Sequence, residues 1–186
     1  MTRPPRIPPV DLDTDDPTLK PLFDAIRARG GGPLNIHLAI GRAPDLLSAF
    51  LTFAFALRSS SVSPRVDREL IILRTSQLAG GDYEFAHHRG MAIAFGLTAA
   101  QVDRLSDWRA SDLFDDRQRA ILAYADAMFN PDGVDDCVFD TLARFFPPRE
   151  IVELTLTASF YSGLSQFTRA LNIDIDPDVD ESRYGR

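Results

Sequence analysis

Residues 68–98, RELIILRTSQLAGGDYEFAHHRGMAIAFGLT, consist of two apolar helical segments separated by a glycine pair. Gly80 and Gly81 end the first helix, because glycine readily adopts the left-handed conformation found at helix C-termini. Asp82 can cap the second helix, which we expect to run to about Phe95. The stretch therefore predicts two consecutive helices joined by a tight turn.

Three ionisable side chains interrupt the apolar faces of these two helices. At about 100° per residue, Glu84 and His88 lie one turn apart on an otherwise apolar stripe. The same construction turns Glu69 inward on the preceding helix. Because unpaired charges are costly in apolar surroundings, we expect His88 to be the partner of both carboxylates. Carboxyl and imidazole groups held together in this way are suited to general acid–base catalysis.

Two other readings of the same residues stay open or are disfavoured by the spacing. A histidine on an apolar helix face is often only a packed, hydrogen-bonded core residue, so a structural role is the alternative. A metal site built from Glu69, Glu84 and His88 is disfavoured, because His87 and His88 diverge by about 100° and no HExxH motif occurs. We therefore predict no metal.

Composition excludes several classes of partner and compartment. The net charge of −7 repels phosphate backbones, so we expect no nucleic-acid binding. Cys137 is the only cysteine, which forbids a disulfide within the chain and favours a reducing cytoplasm. The apolar run 46–57 is too short to span a bilayer, so we expect no membrane insertion. Its apolar residues surround most of the helix, which predicts a core or subunit-interface position and a homo-oligomer.

Strand signals are weak throughout, and the chain is predicted to be all-α. We expect an extended, proline-rich arm at 1–17, a helical domain at 18–173 and an acidic tail at 174–186. The last long segment, from about 149 to 172, is expected to form one helix or a helix pair.

An internal repeat connects two parts of the predicted domain. The segments PRVDREL at 64–70 and PREIVEL at 148–154 share the pattern P-R-x-x-x-E-L, with an offset of 84 residues between Glu69 and Glu153. The match suggests two related helical hairpins, of which only the first has the histidine.

The central stretch resembles the core of the carboxymuconolactone decarboxylase and AhpD-like family. The likeness covers Glu69 with its apolar helix, the glycine turn, Tyr83-Glu84-Phe85, His88 and the segment 96–98. It implies an AhpD-like all-helical fold and assembly into trimers or hexamers.

The resemblance also separates two kinds of chemistry. The AhpD branch is a thiol peroxidase with a Cys-x-x-Cys-x-x-x-His motif, and aligning on His88 places Gly81 and Glu84 at its two cysteine positions. Without either thiol, disulfide-based peroxidase chemistry is disfavoured. We expect Cys137 to be a buried, small apolar residue. An antioxidant protein with Cys137 as a one-thiol centre remains an alternative, as does a non-enzymatic oligomeric binding protein.

The decarboxylase branch lacks these cysteines and has the Glu-x-x-x-His pattern. It implies a lyase or isomerase that uses no cofactor and acts on a small carboxylated lactone or keto acid. The catalytic residues implied are His88 as proton donor, Glu84 as its orienting partner and Glu69 as a second relay. Tyr83 and His87 are the predicted substrate-binding residues.

Overall fold

The computed structural model describes residues 4–177 and residue 179, and all regular structure in them is helical. The helices are α1 (Leu19–Arg27), α2 (Asn35–Ile40), α3 (Pro44–Ser59), α4 (Arg65–Ala79), α5 (Asp82–Ala94), α6 (Ala99–Asp103), a 3₁₀ helix (Leu105–Ala110), α7 (Asp116–Ala127), α8 (Asp136–Ala143) and α9 (Pro148–Leu171). The all-α prediction is confirmed. None of these helices combines the length and apolarity needed to cross a membrane.

The described residues form two compact units. The first comprises the residues up to Ser60 together with Thr168–Pro177, and the second comprises Ser61–Phe167. The predicted arm at 1–17 and tail at 174–186 extend beyond the described residues at both ends of the chain. The three-part division therefore stays a prediction.

The first unit has a small core made by α1 and α3. Leu19, Phe23 and Ile26 of α1 pack with Leu47 and Leu51 of α3. These two leucines are the buried residues of α3, although most of this helix is apolar. The other residues of α3, including Leu46 and Phe53, are therefore wholly or partly exposed.

Helix α4 is the centre of the second unit, and its residues 67–76 are all buried. It packs against α5 on one side and α7 on another. Charges in such a helix need partners, because their burial is otherwise costly. Asp67 accepts two hydrogen bonds from Arg117, and Arg74 pairs with Asp126. These ion pairs connect α4 to α7.

The turn between α4 and α5 contains the glycine pair as predicted, but the residue that caps α5 differs from the prediction. Gly80 has φ +67° and ends α4 in the left-handed conformation, as expected. Asp82 was predicted as the cap of α5, but Gly81 holds the N-cap position and Asp82 is the first helical residue. Thr98 caps α6, since its side chain accepts the N–H of Gln101.

The internal repeat has a structural counterpart. Pro64 precedes α4 and Pro148 begins α9, and each helix has an Arg–Glu ion pair one turn apart: Arg65–Glu69 at 2.6 Å and Arg149–Glu153 at 3.1 Å. However, α9 is a single helix of 24 residues. It continues through 164–165, which correspond to the turn at Gly80 and Gly81, because a leucine and a serine stand there.

Glu153 fixes the loop that leads into α4. Its carboxylate accepts the backbone N–H groups of Val62 and Ser63, at 2.9 and 2.8 Å, and the Nε–H of Arg149. Burial alone would raise the pKa of this carboxyl. The backbone N–H groups and Arg149 outweigh that effect and lower the pKa to about 2.

We expect Glu153→Gln to lower the free energy of unfolding at pH 7 by up to about 3 kcal/mol. Because the folded-state pKa lies below the unfolded value, this stabilisation is full above about pH 4.5 and disappears as the pH falls towards 2. Urea unfolding at pH 7 and pH 2.5 measures it. The exposed Asp103 provides the control, and Asp103→Asn should change stability by less than about 0.5 kcal/mol. An equal loss in Glu153→Gln at both pH values would contradict the prediction.

Candidate active site

Two buried side chains from α4 and α5 form the centre of the candidate site. The Nδ1 atom of His88 lies 2.7 Å from Oε2 of Glu69, and the two residues are 5% and 0% exposed. The other carboxylate oxygen, Oε1, accepts the Nε–H of Arg65 at 2.6 Å. The tight glycine turn makes this possible, since it folds α5 back along α4. Both oxygens of Glu69 are therefore hydrogen-bonded to basic side chains.

The charge state of Glu69 determines how His88 is held. Burial raises the pKa of the Glu69 carboxyl, but the attraction and hydrogen bonds of His88 and Arg65 outweigh it, so the pKa lies below its ordinary value. Glu69 is therefore ionised at neutral pH and accepts the Nδ1–H of His88. The contact with Glu69 is thus made through Nδ1, and Nε2 is the other ring nitrogen at which the imidazole can gain or lose a proton.

Glu84 lies on α5, one turn before His88, and is also buried. Its Oε2 is 2.7 Å from the point where a Cβ at Gly81 would stand, and Oγ of Ser165 is 2.1 Å from the same point. The Glu84 carboxylate thus lies against the first turn of α5 and against α9. The sequence predicted Glu84 as the orienting partner of His88, whereas the hydrogen bond at Nδ1 is made with Glu69.

Tyr83 and His87 form a second buried pair beside the first. Nδ1 of His87 donates to the backbone carbonyl of Tyr83 at 2.7 Å, and their rings are stacked at 4.1 Å with an angle of 25°. The Nδ1 of His87 is therefore used within its own helix. Substrate binding by these two residues stays a prediction.

Helix α9 contributes residues to the site that the sequence analysis missed. The ring of Tyr161 lies edge-on to the imidazole of His88, with centroids 4.6 Å apart and an angle of 79°. Ser165 follows one turn later and contacts the start of α5, as described above. The repeat contained a signal for this second contact, because an offset of 84 residues pairs Gly81 with Ser165.

Two arginines of α4 were also missed. Arg65 is one turn before Glu69, a spacing that indicates an ion pair, and Arg68 is buried with 6% of its surface exposed. Burial lowers the pKa of Arg68, and Arg65 lowers it further, while Glu69, Glu153 and Tyr161 act in the opposite direction without outweighing them. Arg68 is therefore within electrostatic reach of both acidic and aromatic groups of the site.

Cys137 was expected to be buried, and this expectation is wrong. It lies exposed on α8. The buried residue of α8 is Leu142, whereas Cys137 is the second residue of the helix and faces solvent. Helix α8 supplies none of the residues that surround His88, so Cys137 is not part of the candidate site.

Two cavities are open near the second unit's helices. The larger, of about 860 Å³, is an apolar groove along α8 and α9 that includes Phe139, Phe146 and Leu156 but none of the predicted site residues. The smaller, of about 420 Å³, borders Gly81 and Asp82. Its lining also includes none of the predicted site residues. Among residues 4–177 and 179, no group of three or more His, Cys, Asp or Glu side chains could hold a metal ion.

Comparisons with known proteins agree with this fold. Residues 44–127 match the model of the carboxymuconolactone decarboxylase family. The Escherichia coli (strain K12) protein YnjA is 36% identical over 70 residues, which are 37% of this chain and 38% of YnjA. The matched region thus spans less than half of this curated relative.

Solved structures resemble a much larger part of the chain. The debrominase Bmp8 is 25% identical, with a TM-score of 0.76 and 91% of each chain covered. The peroxidase-related protein from Ralstonia eutropha JMP134, described as an alkylhydroperoxidase AhpD core, is 18% identical with a TM-score of 0.78, covering 97% of this chain and 94% of its own. Residues 44–127 of this chain are therefore similar to the carboxymuconolactone decarboxylase family, and the chain has the AhpD-like fold.

Proposed function

We propose that this protein is a cofactor-free lyase or isomerase that acts on a small carboxylated lactone or keto acid. The observation that carries the proposal is the buried hydrogen bond between ionised Glu69 and His88. It combines a fixed imidazole with a carboxylate that stabilises the positive charge of its protonated form. The arrangement is suited to proton transfer through Nε2.

The reaction proposed for decarboxylation balances without an added electron carrier. The bond between the carboxylate carbon and its neighbour breaks, carbon dioxide leaves, and the electron pair passes into the conjugated carbonyl as an enolate. Protonated His88 then gives its Nε2 proton to carbon and becomes neutral, and solvent restores the proton. Glu69 stays ionised and holds the imidazole through Nδ1, while Arg65 holds Glu69. An isomerase would use the same group to remove and return a proton.

Thiol chemistry finds less support at the same place. The family resemblance puts Gly81 and Glu84 at the two cysteine positions, and Oγ of Ser165 occupies the space that a side chain at 81 would need. Cys137 lies exposed on α8, whereas the contacts described for Glu69, Glu84 and His88 are made by residues of α4, α5 and α9. We therefore favour acid–base chemistry over an alkylhydroperoxidase activity.

We also propose that the protein is a homo-oligomer in a reducing cytoplasm. Leu46 and Phe53 of α3 are 66% and 41% exposed, although exposed side chains of this size favour burial at an interface. A non-enzymatic oligomeric binding protein, with Glu69 and His88 as a structural pair, is the alternative that the experiments below separate from an enzyme.

We expect His88→Ala to reduce turnover by about 10²–10⁴-fold, because it removes the proton donor. A panel of carboxylated lactones and β-keto acids, assayed for carbon dioxide release and for isomerisation, measures the effect. His37→Ala is the matched control, since His37 belongs to α2, where its ring accepts the N–H of Leu34. Turnover that is equal in His88→Ala and wild type would refute the role. A lower melting temperature with no turnover in any variant would favour the binding protein.

Gly81→Ala tests the crowding at the start of α5. The new Cβ would lie 2.1 Å from Oγ of Ser165, so we expect a loss of about 1–3 kcal/mol in unfolding free energy. Ser165→Gly removes the obstacle, and the double variant should recover at least about 1 kcal/mol relative to additivity. Gly163→Ala on α9 is the control: nothing lies within 4 Å of its Cβ, so this change should be neutral or stabilising. Additive effects at positions 81 and 165 would show that the two side chains do not meet.

Light scattering tests the assembly. We expect a mass that is a multiple of the monomer mass, and Leu46→Asp should shift it downwards because it places a charge on the exposed apolar face of α3. Leu113→Asp, at a comparably exposed leucine outside the α-helices, should leave the mass unchanged. A monodisperse wild-type monomer would contradict the proposal.

A further inference from the structure

Tyr161 is the aromatic neighbour of the proposed proton donor. Its ring meets the imidazole of His88 edge-on, at 4.6 Å and 79°, a geometry that aromatic pairs favour. His88 is buried, whereas Tyr161 is only half-buried. The tyrosine is therefore the more exposed member of the pair and lies at the border of the site.

Helix α9 presents Tyr161 in a fixed place. Glu153, Thr157, Tyr161 and Ser165 follow one another at intervals of four residues and so form one stripe along the helix. Glu153 is hydrogen-bonded to the loop before α4, Thr157 is buried, and Ser165 contacts the turn at Gly81. Contacts on both sides of Tyr161 along this stripe thus fix this part of α9 relative to α4 and α5, and with it the backbone from which the Tyr161 ring extends.

The imidazole needs such a support. Rotation of a histidine ring about its last side-chain bond is only weakly restricted by its own covalent structure. The hydrogen bond from Nδ1 to Glu69 fixes one edge of the ring. A second contact, from another direction, is required to hold the plane so that Nε2 keeps one orientation towards a substrate.

We infer that Tyr161 is a positioning residue for His88, and that its ring, rather than its hydroxyl group, holds the imidazole plane against Glu69. For its catalytic consequence the inference rests on the proposed function, but the contact itself can be measured without turnover. The charged groups around His88 are Arg65, Arg68 and Glu69 of α4 and Glu84 of α5, and none of them is changed by substitution of Tyr161.

Long-range ¹H–¹⁵N NMR of the full-length protein tests the inference, because the ring nitrogen shifts report which nitrogen carries the proton. The chain has three histidines, so His37 and His87 are internal controls, and the His88→Ala variant assigns the signals. The variants are Tyr161→Phe, which retains the ring, and Tyr161→Leu, which removes it. Phe139→Leu, at an exposed ring on α8, is the matched control.

At a pH above the titration midpoint of His88, where the ring is neutral, we expect wild type, Tyr161→Phe and Phe139→Leu to show His88 as one tautomer with the proton on Nδ1. Tyr161→Leu should give a mixture of tautomers and a displaced titration midpoint for His88 alone, with the other two histidines unchanged. Turnover should fall at least tenfold in kcat for Tyr161→Leu, with a smaller change in KM, and should be retained in Tyr161→Phe.

Four results separate the possibilities. Unchanged His88 signals in Tyr161→Leu would overturn the inference whatever the turnover, and so would equal changes in the Phe and Leu variants, since these would assign the effect to the hydroxyl group. General loss of all three histidine signals would indicate unfolding. In that case Tyr161→Trp, which restores a ring, must recover the His88 signal for the inference to stand. If the NMR result is as expected but wild type converts no compound of the panel, the positioning role holds and the proposed function fails.

Discussion

The burial of Glu69 in the middle of α4 is the constraint on which the rest of this structure depends. A carboxylate without solvent is stable only with basic partners that hydrogen-bond both of its oxygens. Arg65, one turn earlier, supplies the first partner, and His88 supplies the second from the next helix. The turn at Gly80 and the direction of α5 therefore bring His88 to Glu69. In this contact Glu69 holds the imidazole, and His88 in turn helps to lower the pKa of Glu69.

The Arg–Glu ion pair of the internal repeat has a different role in each of its two copies. Both copies of P-R-x-x-x-E-L form an Arg–Glu ion pair on the first turns of a helix. Glu69 uses its remaining oxygen to hold His88, whereas Glu153 accepts backbone N–H groups of the loop before α4. The charge pairing is common to the two copies, and the difference lies in what the surrounding chain offers to the carboxylate. The second copy thus holds the loop before α4, the helix that contains Glu69.

Position 81 has no room for a side chain, because Ser165, the equivalent residue in the second copy of the repeat, packs against it. Ser165 stands 84 residues later and its hydroxyl group occupies the space where a Cβ at 81 would lie, beside the carboxylate of Glu84. Packing therefore requires glycine at this N-cap position. The family branch with two thiols has cysteine at the positions of Gly81 and Glu84, whereas in this chain a carboxylate and a hydroxyl group lie at this end of α5.

The sequence by itself determined the all-helical class, the two helices joined at Gly80 and Gly81, the inward faces of Glu69, Glu84 and His88, and the absence of thiols from the family motif. These properties follow from helical periodicity, glycine conformation and residue chemistry, which act within a few residues of one another. Only the tertiary structure decided that Glu69, and not Glu84, accepts the hydrogen bond from Nδ1 of His88, that Tyr161 and Ser165 of α9 reach the site, and that Cys137 is exposed. The period of a helix tells which residues share a face, but packing between distant segments decides what each face meets.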